Sequence, residues 1–132
     1  MSDTSEVIRR FNDAFLRHEP DQLDELVGEG CVMEAIQPAP DGARYEGRAA
    51  CLEFWRALAA DRTTQFEDEE IAVAGDRATI KWRYTYGTGE ADYVRGVNLM
   101  RVRDSKVVEA LGYSKTPGEV AVPLAADSTS DR

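Results

Sequence analysis

The sequence has few of the residues that most often carry chemistry on their own. Its 132 residues include one histidine, His18, and two cysteines, Cys31 and Cys51. A single imidazole excludes a histidine-rich zinc centre, and the two thiols lack the spacing of a metal-ligand pair. A Ser-His-Asp arrangement would have to use His18, beside Glu19 and Pro20 at the expected end of a helix. An imidazole there ordinarily meets the last carbonyls or solvent. Cys31 and Cys51 lie among apolar neighbours and read as buried thiols of a cytoplasmic protein, with a disulfide as the alternative. Basic residues are scarce as well: 16 Lys and Arg face 25 Asp and Glu, for a net charge of −9. Phosphate binding needs a basic footprint, so this balance argues against nucleic acid, and it argues equally against anionic membranes. No stretch approaches the roughly 18 apolar residues of a membrane-spanning helix. The opening Met1-Ser-Asp-Thr-Ser-Glu has neither the basic nor the apolar segment of a secretory signal.

What is present suits one domain of ordinary size, expected over residues 3–115. Asp3 followed by Glu6 reads as a helix N-cap with its box partner. Val7, Ile8, Phe11, Ala14 and Phe15 then recur at helical spacing. Pro20 suits the first turn of a short second helix, with Leu23, Leu26 and Val27 inward and Gly28 as terminator. Cys31 to Gln37 reads as a strand ended by the loop Pro38-Ala-Pro-Asp-Gly42. A third helix is expected after Gly47, with Cys51, Phe54, Trp55, Leu58 and Ala59 on its buried stripe. From Phe66 the period changes to two, giving strands Phe66 to Val73, Ala78 to Tyr86, Asp92 to Arg103 and Lys106 to Lys115. Short turns join them, so an antiparallel meander is expected and the class is α+β. The Pro-, Gly-, Ala- and Ser-rich segment 116–132 reads as a mobile tail.

Alternation assigns faces to the two middle strands. Ile80, Trp82, Tyr84 and Tyr86 share one face with Val94, Gly96, Asn98, Met100 and Val102 of the next strand. This set combines large aromatics with one amide, which suits a partly hydrated cavity lined on one side by the sheet. The opposite face carries Val97, Leu99, Leu111 and Tyr113 edged by Lys81, Arg83, Arg101 and Glu109. A half-apolar face of this kind suits a homodimer contact through the outer side of the sheet. The run Glu67-Asp-Glu-Glu70 falls on a strand, where alternation separates the four acids, so it reads as a charged edge strand and not a calcium cage. Gly87-Thr-Gly89 reads as a hairpin turn. Arg44 and Arg48 flank a helix start, where they could meet an anionic ligand.

Three helices, a strand and a curved meander, with Val7-Ile-Arg-Arg-Phe-Asn-Asp-Ala-Phe15, Tyr45-Glu-Gly-Arg48, Phe54-Trp55 and the run from Arg95 to Val108, resemble the SnoaL-like branch of the nuclear transport factor 2-like superfamily. Its relatives include ketosteroid isomerases, limonene-epoxide hydrolases and polyketide cyclases. The resemblance implies a cystatin-like cone, with three N-terminal helices packed on a curved, mostly antiparallel sheet. It also implies an apolar pocket at the mouth of the cone, homodimers, and chemistry without a cofactor.

The catalytic sets of two relatives are not retained. The isomerase tyrosine, general-base aspartate and protonated aspartate fall on Phe11, Ala35 and Asn98, of which only the amide can still donate. The Asp-Arg-Asp set of the epoxide hydrolase falls on Trp82, Tyr84 and Gly112, none of which can serve as its acid or base. The expected pocket is lined by Phe11, Phe15, Met33, Trp55, Trp82, Tyr86 and Met100. In it Asn98 would hold a carbonyl or enolate oxygen, Tyr84 would be the second donor, and Glu34 the only nearby base. The function so implied is binding of a small hydrophobic molecule, with an isomerase, cyclase or hydrolase step as the catalytic form. Its alternative is a non-catalytic binding or dimerisation module.

Overall fold

Val7, Ile8, Phe11, Ala14 and Phe15 all turn to one side of the first helix, α1 (Asp3–Leu16), and all are buried. The structure is a computed structural model and describes residues 3–115; the tail expected over 116–132 lies outside the described residues. Asp3 is the first described residue of α1, and its carboxylate accepts a hydrogen bond from the Ser105 hydroxyl, which ties α1 to the turn before the last strand. A 3₁₀ helix (Pro20–Glu25) follows, with Pro20 in its first turn. Its end differs from the sequence reading. Val27 and Gly28 already belong to strand β1 (Val27–Glu34), so Gly28 terminates no helix. A Cβ at Gly28 would lie 3.1 Å from Val108 Cγ1 and 3.4 Å from the Val107 carbonyl. The residue is glycine because β1 approaches its neighbour closely there.

β1 ends at Glu34, earlier than the expected Gln37, because the chain folds back on itself at once. The Ala35 N–H donates to Ala43 O at 2.9 Å, the Ala43 N–H to Gln37 O at 2.9 Å, and the Gly42 N–H to Pro38 O at 2.7 Å. Gly42 sits at φ 82°, and a Cβ there would lie only 1.8 Å from the Ala35 carbonyl oxygen; only glycine permits this closure. The returning chain forms β2 (Arg44–Glu46), a short strand the sequence pattern did not reveal. Helix α2 (Arg48–Ala60) starts at Gly47, and Cys51, Leu52, Trp55 and Ala59 bury its inner face.

The remaining strands are β3 (Gln65–Ala74), β4 (Arg77–Thr85), β5 (Tyr93–Arg103) and β6 (Lys106–Ser114), close to the expected spans. Together they form a six-stranded sheet in the order β2-β1-β6-β5-β4-β3. Every neighbouring pair is antiparallel except β1 and β6, which run parallel; β2 and α2 lie between β1 and the meander. β3 is an edge strand, and its four acids stay exposed. A bulge between Asp68 and Glu70 breaks its register there. The core lies between the helices and the inner sheet face, where Ile8, Phe11, Leu23, Leu26, Ile80 and Val107 are essentially inaccessible.

His18 joins three elements. It sits at φ 56° just past α1. Its Nδ1 faces the Ala59 carbonyl at 2.9 Å and its Nε2 faces Gln65 Oε1 at 2.9 Å. The Gln65 amide nitrogen donates in turn to Leu16 O and Phe66 O. The histidine therefore meets the last carbonyls of α2, not those of its own helix, and its role is to hold α1, α2 and β3 together.

Candidate functional site

The inward face of the sheet is set by register. Met33 of β1 pairs with Tyr45 of β2 and with Ala110 of β6. Asn98 of β5 lies between Gly112 of β6 and Ile80 of β4, and Trp82 lies opposite Gly96. Over this face, between the sheet and α2, lies a cavity of about 510 Å³. Its floor is Met33, Ala110, Asn98 and Trp82; Phe54, Trp55 and Leu58 of α2 form the roof. Phe66 and Tyr84 close one side, and Ala35 to Pro38 with Ala43 and Tyr45 close the other. The volume and the largely apolar wall suit a small organic molecule.

The polar geometry centres on Asn98. The Trp82 indole N–H donates to Asn98 Oδ1 at 3.2 Å. Indole nitrogen can only donate, so this bond fixes which end of the amide is oxygen. The Nδ2 group is left facing the cavity with no protein partner among the described residues. Two glycines make the arrangement possible. A Cβ at Gly96 would lie 2.6 Å from the Trp82 ring and 2.3 Å from the Tyr113 carbonyl, so glycine lets the indole lie across β5 towards Asn98. A Cβ at Gly112 would lie 3.3 Å from Asn98 Oδ1 itself.

The aromatic wall is layered. Phe66 stacks against Tyr84 with centroids 4.5 Å apart and meets Trp82 edge-on at 5.6 Å. Tyr45 packs on Phe54 at 5.0 Å. Such pairs hold ring orientations through their quadrupoles. The structure corrects part of the expected lining. Phe11 meets Trp55 edge-on at 4.9 Å and Phe15 meets Phe66 at 5.8 Å. Both rings stand one layer behind the wall, because α2 and β3 come between α1 and the cavity. Met100 is buried between Ala78 and Ala110, past the floor. Tyr86 is half exposed and lines an adjoining chamber. Met33, Trp55, Trp82, Tyr84, Asn98 and Glu34 do border the cavity.

Among the described residues Glu34 is the only acid in this lining. It follows the inward-facing Met33, so its side chain belongs to the opposite face, where it pairs across the strands with Arg44. Arg44 Nη1 lies 3.0 Å from Glu34 Oε2, and Arg44 Nε lies 2.8 Å from Glu46 Oε2. These two carboxylates raise the Arg44 pKa, Glu46 foremost through its hydrogen bond. Arg48 donates to the carbonyls of Val27 and Asp24. The sequence offered both arginines to an anionic ligand; each is instead engaged within the fold. Cys31 and Cys51 are both free and buried, and the Cys51 thiol lies against the Cys31 and Tyr45 carbonyls. Burial pushes both thiols above their ordinary pKa, Cys31 the further of the two. No cluster of three or more metal-ligating side chains occurs among the described residues.

Residues missed in the sequence lining fall into two kinds. Tyr45, Phe54, Leu58 and Phe66 stood on recognised motifs or faces, and pairing decides that they reach the cavity. Ile36, Gln37, Pro38 and Ala43 belong to an aperiodic loop whose path follows from its closure at Gly42.

Comparison with known proteins fits this architecture. The SnoaL-like domain family matches residues 8–110. An NTF2-like protein of unknown function from Mesorhizobium loti is 54% identical, with 86% of this chain and 92% of that one covered at a TM-score of 0.81. A candidate ketosteroid isomerase from Kribbella flavida is 18% identical, with 98% and 91% covered at 0.72. An LEH-like epoxide hydrolase from Mycobacterium tuberculosis is 16% identical, with 86% and 79% covered at 0.66. The last two likenesses show the fold alone. No curated protein matches the chain.

Proposed function

The chain belongs to the SnoaL-like domain family, and on that premise we propose that its cavity binds a small hydrophobic molecule by a carbonyl oxygen, which accepts a hydrogen bond from the Asn98 amide. One observation carries this reading: the Trp82 N–H occupies Asn98 Oδ1 and so presents the unpartnered Nδ2 to an otherwise apolar chamber. A donor held in place before the ligand arrives loses little orientation entropy on binding. Apolar contact with the aromatic wall supplies the affinity, and the amide selects for oxygen. Tyr84 is the second donor on the same wall.

The same geometry polarises a carbonyl and stabilises an enolate, which is the first requirement of an isomerase or cyclase step. The second requirement is a base, and Glu34 is engaged by Arg44. Binding with polarisation is therefore the function the geometry supports best. The catalytic form requires Glu34 to leave Arg44 and turn from the opposite face of β1 into the cavity, or a base carried by the substrate.

Native mass spectrometry of freshly purified protein tests the proposal. A retained neutral molecule bearing a carbonyl is expected. Asn98→Leu should weaken a ketone about fivefold, the worth of one hydrogen bond of about 1 kcal/mol, and leave a hydrocarbon of the same shape unchanged. Equal loss for both ligands, in a variant with native circular dichroism, would remove Asn98 from the site.

A homodimer through the outer sheet face belongs to the same proposal. Leu99 and Tyr113 are 42% and 55% exposed there.

A further inference from the structure

The cavity does not end beside Asn98. A second chamber of about 850 Å³ adjoins it, and the two share Glu34, Ala35, Ile36, Gln37, Tyr84 and Gly112 in their walls. Beyond these, the outer chamber runs between Tyr86 and Val94 on one side and the turn Ala39 to Asp41 on the other. The segment 35–43 bounds both chambers, and its three internal backbone hydrogen bonds make it a fixed partition.

Gly112 stands at the waist between them. A Cβ there would come within 3.1 Å of the Glu34 carbonyl and of Ile36 Cγ2, as well as close to Asn98. Gly112 is outside the left-handed region, so the position asks for space and not for glycine's backbone freedom. The absent side chain keeps open the passage that leads outwards from Asn98.

Charge narrows the occupant. Among the described residues no Lys or Arg lines either chamber, and the carboxylic acids in their walls are Glu34 and Asp41. Arg44 is turned to Glu34 and Glu46. A carboxylate or phosphate inside would lose its hydration without gaining a cation, at a high cost in a low-dielectric site.

We propose that the two chambers form one continuous site for an elongated, uncharged molecule. Its carbonyl oxygen lies at Asn98 and its remaining length passes Gly112 into the outer chamber. This rests on the reading of Asn98 above and adds the shape and charge class of the ligand: extended neutral ketones are admitted, and fatty carboxylates and phosphate-bearing thioesters are excluded.

Calorimetric titration with straight-chain methyl ketones, lengthened stepwise from about six to about fourteen carbons, tests it alongside carboxylates of equal length. In the unaltered protein each added methylene should tighten binding by about two- to fourfold, with the gain continuing to the longest chains. In Gly112→Leu the gain should stop at a shorter chain. Val94→Trp narrows the outer chamber from the opposite wall without touching β6, and should stop the gain too. Carboxylates should bind at least about tenfold more weakly than ketones of matching length.

A common plateau in all three proteins, or carboxylates that match the ketones, overturns the inference. Short ketones that still depend on Asn98 would leave the Asn98 reading standing in that event. Ketones indifferent to Asn98→Leu at every length would overturn that reading, and the inference with it.

Discussion

Trp82 and Asn98 are joined by the bond from the indole N–H to Oδ1. In the binding reading proposed above, the indole positions the amide. Trp82→Phe keeps the ring packing against Phe66 but removes the donor, so the amide can turn either end to the cavity. The expected outcome is a loss of preference for ketone over hydrocarbon of about threefold, within the worth of one hydrogen bond, with the affinity for hydrocarbon retained. Calorimetry with the matched pair checks it. A second prediction concerns the thiols. Cys31 and Cys51 are buried, and desolvation holds both in the protonated form. Only the thiolate attacks a disulfide reagent. Native protein at pH 8 should therefore react with such a reagent orders of magnitude more slowly than protein in denaturant. A third concerns Glu69, which the Arg95 guanidinium, hydrogen-bonded to it, holds below the usual carboxylate range. Its stabilisation is present above that range and is lost as pH falls through its lowered folded value. Melting temperatures followed from pH 6 to pH 3 should fall less steeply in Glu69→Gln than in the unaltered protein.

At the scale of elements, glycine decides where strands meet side chains. Gly96 is where β5 passes beneath the Trp82 ring, and a Cβ there overlaps both the ring and the Tyr113 carbonyl. Gly96→Val should destabilise the fold by about 1 to 3 kcal/mol, the ordinary cost of overpacking, and displace the indole from Asn98. Urea unfolding and the tryptophan emission spectrum report the two effects separately.

The elements were unequally legible in the sequence. β3 to β6 were readable because alternation runs through each of them and short turns separate them. That same alternation placed Asn98, Trp82 and Tyr84 on one face. β2 was not readable, since three residues carry no period, and Gly28 was misread because a glycine serving close strand approach looks like one that ends a helix. The layering of the aromatics was hidden too: the helical period shows that Phe11 and Phe15 face inward, but not that Trp55 and Phe66 intervene. The pairing of Glu34 with Arg44 follows only from the register of β1 with β2, a strand absent from the sequence reading.

At the scale of the molecule, the acidic surplus lies away from the cavity. Glu67, Asp68 and Glu70 are exposed on the edge strand, Glu69 is engaged by Arg95, and the inner chamber has one acid in its wall. The overall charge thus describes the surface and says little about the ligand. The outer sheet face makes a separate claim. With Leu99 and Tyr113 exposed, a dimer is the expected state at micromolar concentration, and Leu99→Lys should shift sedimentation towards the monomer. A monomer before substitution would contradict the dimer without touching the cavity.

The side-chain amide of Asn98, followed by nitrogen-15 NMR while a methyl ketone is added, tests carbonyl binding most directly. If the ketone oxygen accepts from Asn98, one Nδ2 proton moves downfield in proportion to occupancy, while the Trp82 indole proton keeps its hydrogen-bonded position. A ketone that binds in the cavity and leaves both Asn98 amide protons unmoved would contradict the Asn98 reading.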